Sequence, residues 1–138
     1  MVSGLVVDAS VLVAVLVDSG PEGQWADAVI AGHALVAPQL VVVETLNILR
    51  RLENVEEITE LEASSAQRDL HDLPIDLLPV RPFEGRIWQL RRNLTAYDAW
   101  YVAVAEALDL SFATLDRRLA RATGVNCDVR TPDGARPG

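Results

Sequence analysis

Residues 4–17 read GLVVDASVLVAVLV, and this stretch decides the fold class. Its first half, GLVVDAS (4–10), is apolar and β-branched, which predicts a short buried strand that ends at Asp8. Residues 11–17 are apolar on every side and predict a buried first helix, which the Ser-Gly-Pro turn at 19–21 ends. A buried strand that leads directly into a buried helix is typical of an α/β fold.

The rest of the chain continues this alternation of strands and helices. Further strands are predicted at 34–37, 75–80 and 111–116, with a short edge strand at 127–130. Helices are predicted at 22–31, 38–52, 55–72, 82–92, 99–108 and 116–122. Pro38 is expected at the first position of its helix, and Trp88 is expected to face the core.

Strands separated by helices predict a central, mostly parallel sheet of four or five strands with helices on both faces. The fold class is therefore α/β, as a three-layer α/β/α domain. Residues 1–130 are expected to form this single domain, and the turn-rich segment 131–138 is expected to be a flexible C-terminal tail.

The charged residues exclude several mechanisms. The chain has twelve basic and twenty acidic residues, which gives a net charge of −8, and all twelve basic residues are Arg. Without lysine, P-loop nucleotide hydrolysis and Schiff-base chemistry are both excluded. The negative charge leaves two interpretations open: the protein does not bind nucleic acid, or its acids gather around cations and its partner is basic.

The chain is expected to be a cytoplasmic protein that does not associate with membranes. Its one cysteine, Cys127, rules out an internal disulfide and fits a reducing compartment. The apolar N-terminal run is preceded by no basic residue and contains Asp8, so it is not expected to be a signal peptide. The same run is too short to span a membrane.

Four acids stand at positions where such a sheet gathers functional groups. Asp8 and Asp116 end predicted strands, Asp98 opens a predicted helix, and Glu44 lies on a helix between two strands. Each has a simpler structural explanation, since the aspartates could be helix caps and the glutamate could face solvent. The carboxyl ends of parallel strands meet at one edge, however, so the four side chains are expected to converge there.

Converging carboxylates need a counter-charge. At about 5 Å each pair repels by roughly 3 kcal/mol at an effective dielectric near 20. The acids must therefore be neutralised, take up protons or bind a cation. Donors that are all oxygen suit Mg²⁺ or Mn²⁺ rather than zinc. His33 and His71 are not close in sequence to any of the four acids.

Four segments carry a family resemblance. They are VVDASVLVA (6–14), VVVETLNIL (41–49), LTAYDAWYVAVAEAL (94–108) and FATLDRRLA (112–120). In order and spacing they resemble the acidic motifs of the PIN-domain nucleases, and the chain is similar in size to the VapC-type toxins of bacterial toxin–antitoxin pairs. The resemblance implies a PIN-like domain, an endoribonuclease dependent on Mg²⁺ or Mn²⁺, a homodimer, and inhibition by a cognate antitoxin.

The resemblance also implies roles for particular residues. Asp8, Glu44, Asp98 and Asp116 match the catalytic acids, and Asp8, Asp98 and Asp116 are the expected metal ligands. Ser10 and Thr114 match hydroxyl positions that support those acids through hydrogen bonds. The stretch 54–72 and the C-terminal tail match no motif.

Other residues and functions stay open at this point. Arg117, Arg118 and Arg121 adjoin Asp116 and are candidates for gripping RNA phosphates. Trp100 and Tyr101 are interpreted as core or dimer contacts.

Two alternatives compete with the nuclease: an inactive module of the same fold that docks a basic protein, and a small-molecule phosphohydrolase. The phosphohydrolase is weakened because the chain has no lysine and no Gly-rich phosphate loop. The acidic composition and the resemblance together predict a basic antitoxin as partner.

Overall fold

A six-stranded sheet forms the middle layer of the computed structural model, which describes residues 2–136, with only the backbone described for 134–136. The strands are β1 (Gly4–Val7), β2 (Ala34–Pro38), β3 (Ile75–Leu78), β4 (Phe112–Ala113), β5 (Val129–Thr131) and β6 (Gly134–Arg136). Their order is β3-β2-β1-β4-β5-β6, and the first five are parallel. The predicted parallel sheet is confirmed.

Helices flank this sheet and complete the three predicted layers. They are α1 (Ala9–Val17), α2 (Pro21–Ile30), α3 (Leu40–Asn54), α4 (Glu60–Asp72), α5 (Glu84–Gln89), α6 (Ala96–Leu108) and α7 (Arg117–Arg121), with a 3-10 turn at Arg81–Phe83. α1 packs against α2, α3 and α4, whereas α6 packs against α5 and three strands. No helix within residues 2–136 is both long enough and apolar enough to cross a membrane.

The central strand explains why the N-terminal sequence is apolar on both sides. β1 lies between β2 and β4, and Leu5, Val6 and Val7 are fully buried. A strand with helices on both faces has no solvent side, so it lacks the alternation of polar and apolar residues that marks a half-exposed strand. Val7 pairs with Ala113, which brings the ends of β1 and β4 to the same edge of the sheet.

Three predicted helix starts are wrong, and one of them is that of α6, which begins at Ala96 instead of at 99. Pro38 is the last residue of β2 rather than the first of a helix, because it still pairs with β3, and α3 begins at Leu40. The stretch 55–59 is a turn in which Glu56 has a positive φ of 61°. α4 begins only after Thr59, whose side chain forms a capping box with Glu62.

The predicted helix 82–92 is broken, and its tryptophan points outward. α5 ends at Gln89, and Leu90 takes the buried position beside it. Trp88 is 66% exposed, with the Arg91 guanidinium 4.4 Å from its ring centre. Such a contact shields part of the indole from water without burying it in the core.

The C-terminal segment adds one strand beyond the predicted four or five. β6 runs antiparallel to β5, with Thr131 opposite Gly134. Thr131 belongs to β5 and is buried, although the sequence prediction assigned it to a flexible tail. Residues 137–138 of that tail lie outside the described residues.

Candidate active site

Asp8 stands directly after β1, at the edge of the sheet where the sequence predicted it. It is the N-cap of α1, and its Oδ1 accepts from the Val11 backbone N–H at 3.2 Å. Capping uses only one carboxylate oxygen, so it leaves Oδ2 for other contacts.

Two hydroxyl groups hold the Asp8 carboxylate. Ser10 donates to Oδ1 and Thr114 donates to Oδ2, both at 2.5 Å. Each hydroxyl also accepts a backbone N–H from the loop after β4, from Leu115 to Ser10 and from Asp116 to Thr114, at 3.0 Å. The structure thus brings Ser10 and Thr114 to Asp8, and their hydroxyls join the ends of two neighbouring strands.

Burial governs the charge of Asp8. The residue keeps some exposed surface, but the surrounding protein desolvates its carboxylate and raises its pKa from 3.8 to about 6. The hydrogen bonds from Ser10 and Thr114 oppose this shift, and the nearby charge of Glu44 adds to it. Burial therefore outweighs the three hydrogen bonds that the carboxylate accepts from Ser10, Thr114 and Val11.

Glu44 reaches the same region from the middle of α3. The residue is half-buried, and its Oε1 accepts a hydrogen bond from the phenol of Tyr101 on α6. Desolvation raises the pKa of Glu44, the Tyr101 hydrogen bond lowers it, and the charge of Asp98 raises it. Glu44 is therefore not the fully solvent-facing charge of its simpler structural explanation.

Asp98 lies in the first turn of α6. Thr95 caps this helix by accepting the Asp98 backbone N–H at 3.1 Å. Between these two described residues no bond returns from the Asp98 carboxylate to the Thr95 backbone, so only one of the two hydrogen bonds of a capping box is formed. Burial raises the pKa of Asp98, and the charge of Asp116 adds to that rise.

Asp116 differs from the other three acids because it has a cationic partner. Both of its carboxylate oxygens accept from the Arg118 guanidinium, at 3.0 and 2.6 Å, and Oδ1 also accepts the Arg118 backbone N–H. Arg118 holds the pKa of Asp116 below its usual value. Arg118 itself is 84% exposed along its side chain.

We refer to Asp8, Glu44, Asp98 and Asp116 as the acid row. Each member acts electrostatically on the next, in that order, and each of these pairs is a repulsion. Among residues 2–136, however, no three acidic, histidine or cysteine side chains are arranged to hold a metal ion. Their present partners are Ser10, Thr114, Tyr101 and Arg118.

The chemistry of the donors nevertheless fits a hard divalent cation. All four donor groups are carboxylates, three have raised pKa values, and a guanidinium already acts as counter-ion at the fourth. Some of these side chains must turn before three of them can share an ion. The row therefore supplies the donors for a cation without presenting them as a finished site.

The three arginines predicted to contact RNA have different environments. Arg118 is bound to Asp116, and Arg117 donates to Asp133. Arg121 is exposed at the end of α7. Two of the three guanidinium groups therefore already neutralise acids near the sheet edge.

The role of Tyr101 was missed by sequence reasoning. Its interpretation as a core residue is correct, since it is only 2% exposed, but its hydroxyl bonds an acid 57 residues away. One signal was available: a phenol within the apolar stretch WYVAVA needs a polar partner, and it lies one turn after Asp98.

A groove next to the acid row was also not foreseen. It has a volume of about 450 Å³ and lies between α1, α2 and α3. Its lining includes the apolar Val13, Ile48 and Leu115 and the acidic Asp18, Glu22 and Glu57. Ser10, which bonds Asp8, lines it as well, and none of the described lining residues is basic.

Comparison with known proteins gives a consistent result. The family described as PIN domain matches residues 5–125. Ribonuclease VapC9 of Mycobacterium tuberculosis is 37% identical over 125 residues, covering 91% of this chain and 95% of the relative. Among solved structures, FitAcB from Neisseria gonorrhoeae has a TM-score of 0.69 at 17% identity, covering 93% of this chain and 97% of that one. VapBC2 from Rickettsia felis, bound to a DNA fragment from their promoter, has a TM-score of 0.64 at 9% identity, covering 92% and 97%.

Proposed function

Because the chain belongs to the PIN-domain family, we propose that it is the toxin of a toxin–antitoxin pair and an endoribonuclease dependent on Mg²⁺ or Mn²⁺. The observation that carries this proposal is the acid row, in which four carboxylates from separate parts of the chain act on one another at one edge of the sheet. A fold gains no stability from such repulsion, so the arrangement calls for a cation.

We assign the acids distinct tasks. Asp8, Asp98 and Asp116 would hold the cation, and Ser10 and Thr114 orient the Asp8 carboxylate through their hydroxyls. Glu44 is fixed through Oε1 by Tyr101, while Oε2 accepts no hydrogen bond from the described residues and is free to take a proton from the attacking water. A bound divalent ion would supply a water of lowered pKa and neutralise charge on the phosphate.

The arginines beside Asp116 remain our candidates for RNA contact. Arg121 is exposed, and Arg117 and Arg118 would have to leave their acid partners to reach phosphate oxygens. Exposed ion pairs of this kind stabilise a protein by only about 0.2–1 kcal/mol, so exchanging the acid partner for a phosphate would lose little free energy.

Cleavage of RNA tests the proposal. Purified protein should cut single-stranded RNA in Mg²⁺ or Mn²⁺, lose that activity in excess EDTA, and lose it again as Asp98→Asn. Metal-loaded wild type that leaves both structured and unstructured RNA intact, and whose expression does not slow growth, would overturn it. The alternative of an inactive docking module is not favoured, since the four acids remain gathered.

We further propose that the partner is a basic antitoxin. The net charge of −8 and the groove with its three acids suit a segment that combines apolar and cationic side chains. An arginine of that segment could reach Asp8 past Ser10 and take the place of a cation. Co-purification with the product of the adjacent gene tests this, and a neighbouring gene product that fails to bind would count against it.

The remaining expectations are a homodimer and a cytoplasmic location. α3 exposes Val43 and Leu46, at 65% and 39%, as an apolar pair that a second copy could cover. Light scattering distinguishes one copy from two, and a monomer at micromolar concentration would contradict the dimer.

A further inference from the structure

Tyr101 is fixed from the side of the sheet. Its ring stacks on Phe112 of β4, with the ring centres 5.6 Å apart and the planes 7° from parallel. Phe112 is fully buried, and its strand pairs with β1 and β5. Because the stack joins α6 to the central strands, the phenol hydroxyl occupies a defined position in the interior.

That hydroxyl is the described anchor of the Glu44 carboxylate. It donates to Oε1, and no other described residue donates a hydrogen bond to this carboxylate. The Glu44 side chain is flexible, and it lies on a part of α3 that is close to solvent, since the neighbouring Val43 is 65% exposed. Without the phenol, the carboxylate would gain solvation by turning outward, as the desolvation that raises its pKa indicates.

The hydroxyl also lies among the acids rather than at their margin. Tyr101 follows Asp98 by one turn of α6, and the charges of Asp8, Glu44 and Asp98 all act on it. Three members of the acid row therefore act on this one side chain together. A neutral donor at such a point can hold a carboxylate without cancelling the charge that attracts a cation.

We infer that Tyr101 is a positioning residue: it keeps the negative charge of Glu44 close to the three aspartates that would hold the cation, and through that charge it determines how tightly the row binds a divalent cation. The inference rests on the proposed function in treating the row as a cation site. Tyr101 itself touches neither the cation nor RNA; it acts through Glu44 alone.

Binding of Mn²⁺, followed by the EPR signal of the free ion, tests the inference without RNA. Tyr101→Phe keeps the ring on Phe112 but removes the donor, and it should weaken Mn²⁺ binding about tenfold. Tyr97→Phe is the matched control, because it removes the same atom from a 62% exposed position on the same helix, and it should bind as wild type does.

A second variant separates positioning from general damage. Glu44→Asp keeps the charge but shortens the side chain, so its carboxylate withdraws from the phenol and Mn²⁺ binding should weaken as well. Adding Tyr101→Phe to Glu44→Asp should then change the affinity by less than about twofold.

Either of two results would overturn the inference: wild-type affinity in Tyr101→Phe, or an undiminished further loss when it is added to Glu44→Asp. Wild-type protein that binds Mn²⁺ but cuts no RNA would overturn the proposed function alone.

Discussion

The two ends of the acid row are both aspartates, but their pKa values are shifted in opposite directions. At the inner end, Asp8 is desolvated, receives hydrogen bonds only from neutral donors, and has its pKa raised to about 6. At the outer end, Asp116 is bound on both oxygens by Arg118, and its pKa is lowered. Burial dominates at one end and a guanidinium at the other.

This contrast indicates where a cation is needed. Asp116 already has its counter-charge, whereas Asp8, Glu44 and Asp98 all have pKa values raised first by burial, with no cation bonded to any of them among the described residues. The inner end should therefore control cation binding, and the outer end should only adjust it.

Asp8→Asn should have the largest effect. Cleavage should fall at least about a thousandfold, because the cation loses its buried ligand.

The folded-state pKa of Asp8 lies above the unfolded value, so the destabilising effect of the Asp8 charge is absent below pH 3.8 and complete above about pH 6. Asp8→Asn should therefore be more stable at pH 7.5 without metal, by up to roughly 3 kcal/mol. Urea unfolding in EDTA measures this, and a less stable variant would contradict burial as the main influence on Asp8.

Thr114→Val should come next. It removes the hydroxyl that donates to Asp8 and also accepts the Asp116 backbone N–H, so Mn²⁺ binding should weaken about 10–100-fold. Thr45→Val is the control: Thr45 is equally buried, but its hydroxyl has no hydrogen-bond partner among the described residues. Equal losses of Mn²⁺ affinity in both variants would mean that packing, not the bond to Asp8, is responsible.

The pH dependence should be set by the inner end. Because Asp8 must lose its proton to bind a cation, Mn²⁺ affinity should fall about tenfold for each pH unit below about 6. Thr114→Val should move this midpoint upward, since it removes an interaction that lowers the pKa of Asp8. Titrations between pH 5 and 8 measure both, and a flat profile would place the controlling group elsewhere.

Arg118→Ala should have the smallest effect. It frees the Asp116 oxygens, so Mn²⁺ affinity should rise by up to about fivefold, as expected for an exposed ion pair. Arg117→Ala removes the same charge from a residue that bonds Asp133 instead, and it should raise the affinity less. Equal increases, by calorimetry, would mean that net charge alone is responsible.

Much of the fold and part of the site follow from local sequence. Asp8 and Asp116 were predicted at one sheet edge because each follows an apolar strand, and parallel strands end together. Pro38 was misassigned because proline is compatible with both a strand end and a helix start, and only its pairing with β3 decides between them.

The partners of the acids were harder to predict. The Tyr101–Glu44 hydrogen bond joins two residues that are 57 positions apart in the sequence, so only the tertiary structure reveals it. Arg118, a candidate for RNA contact, bonds Asp116 two residues away, a local contact that competes with any distant one. Sequence position predicted which acids gather, but their charge states depend on burial and on neighbours that the fold supplies.

A crystal soaked in Mn²⁺ and measured at an anomalous wavelength tests the cation site most directly. We expect a single strong peak, or a close pair, with carboxylate oxygens of Asp8 and Asp98 bonded directly to the metal. Manganese found only away from these two carboxylates, or none at saturating concentration, would contradict the acid row as a cation site.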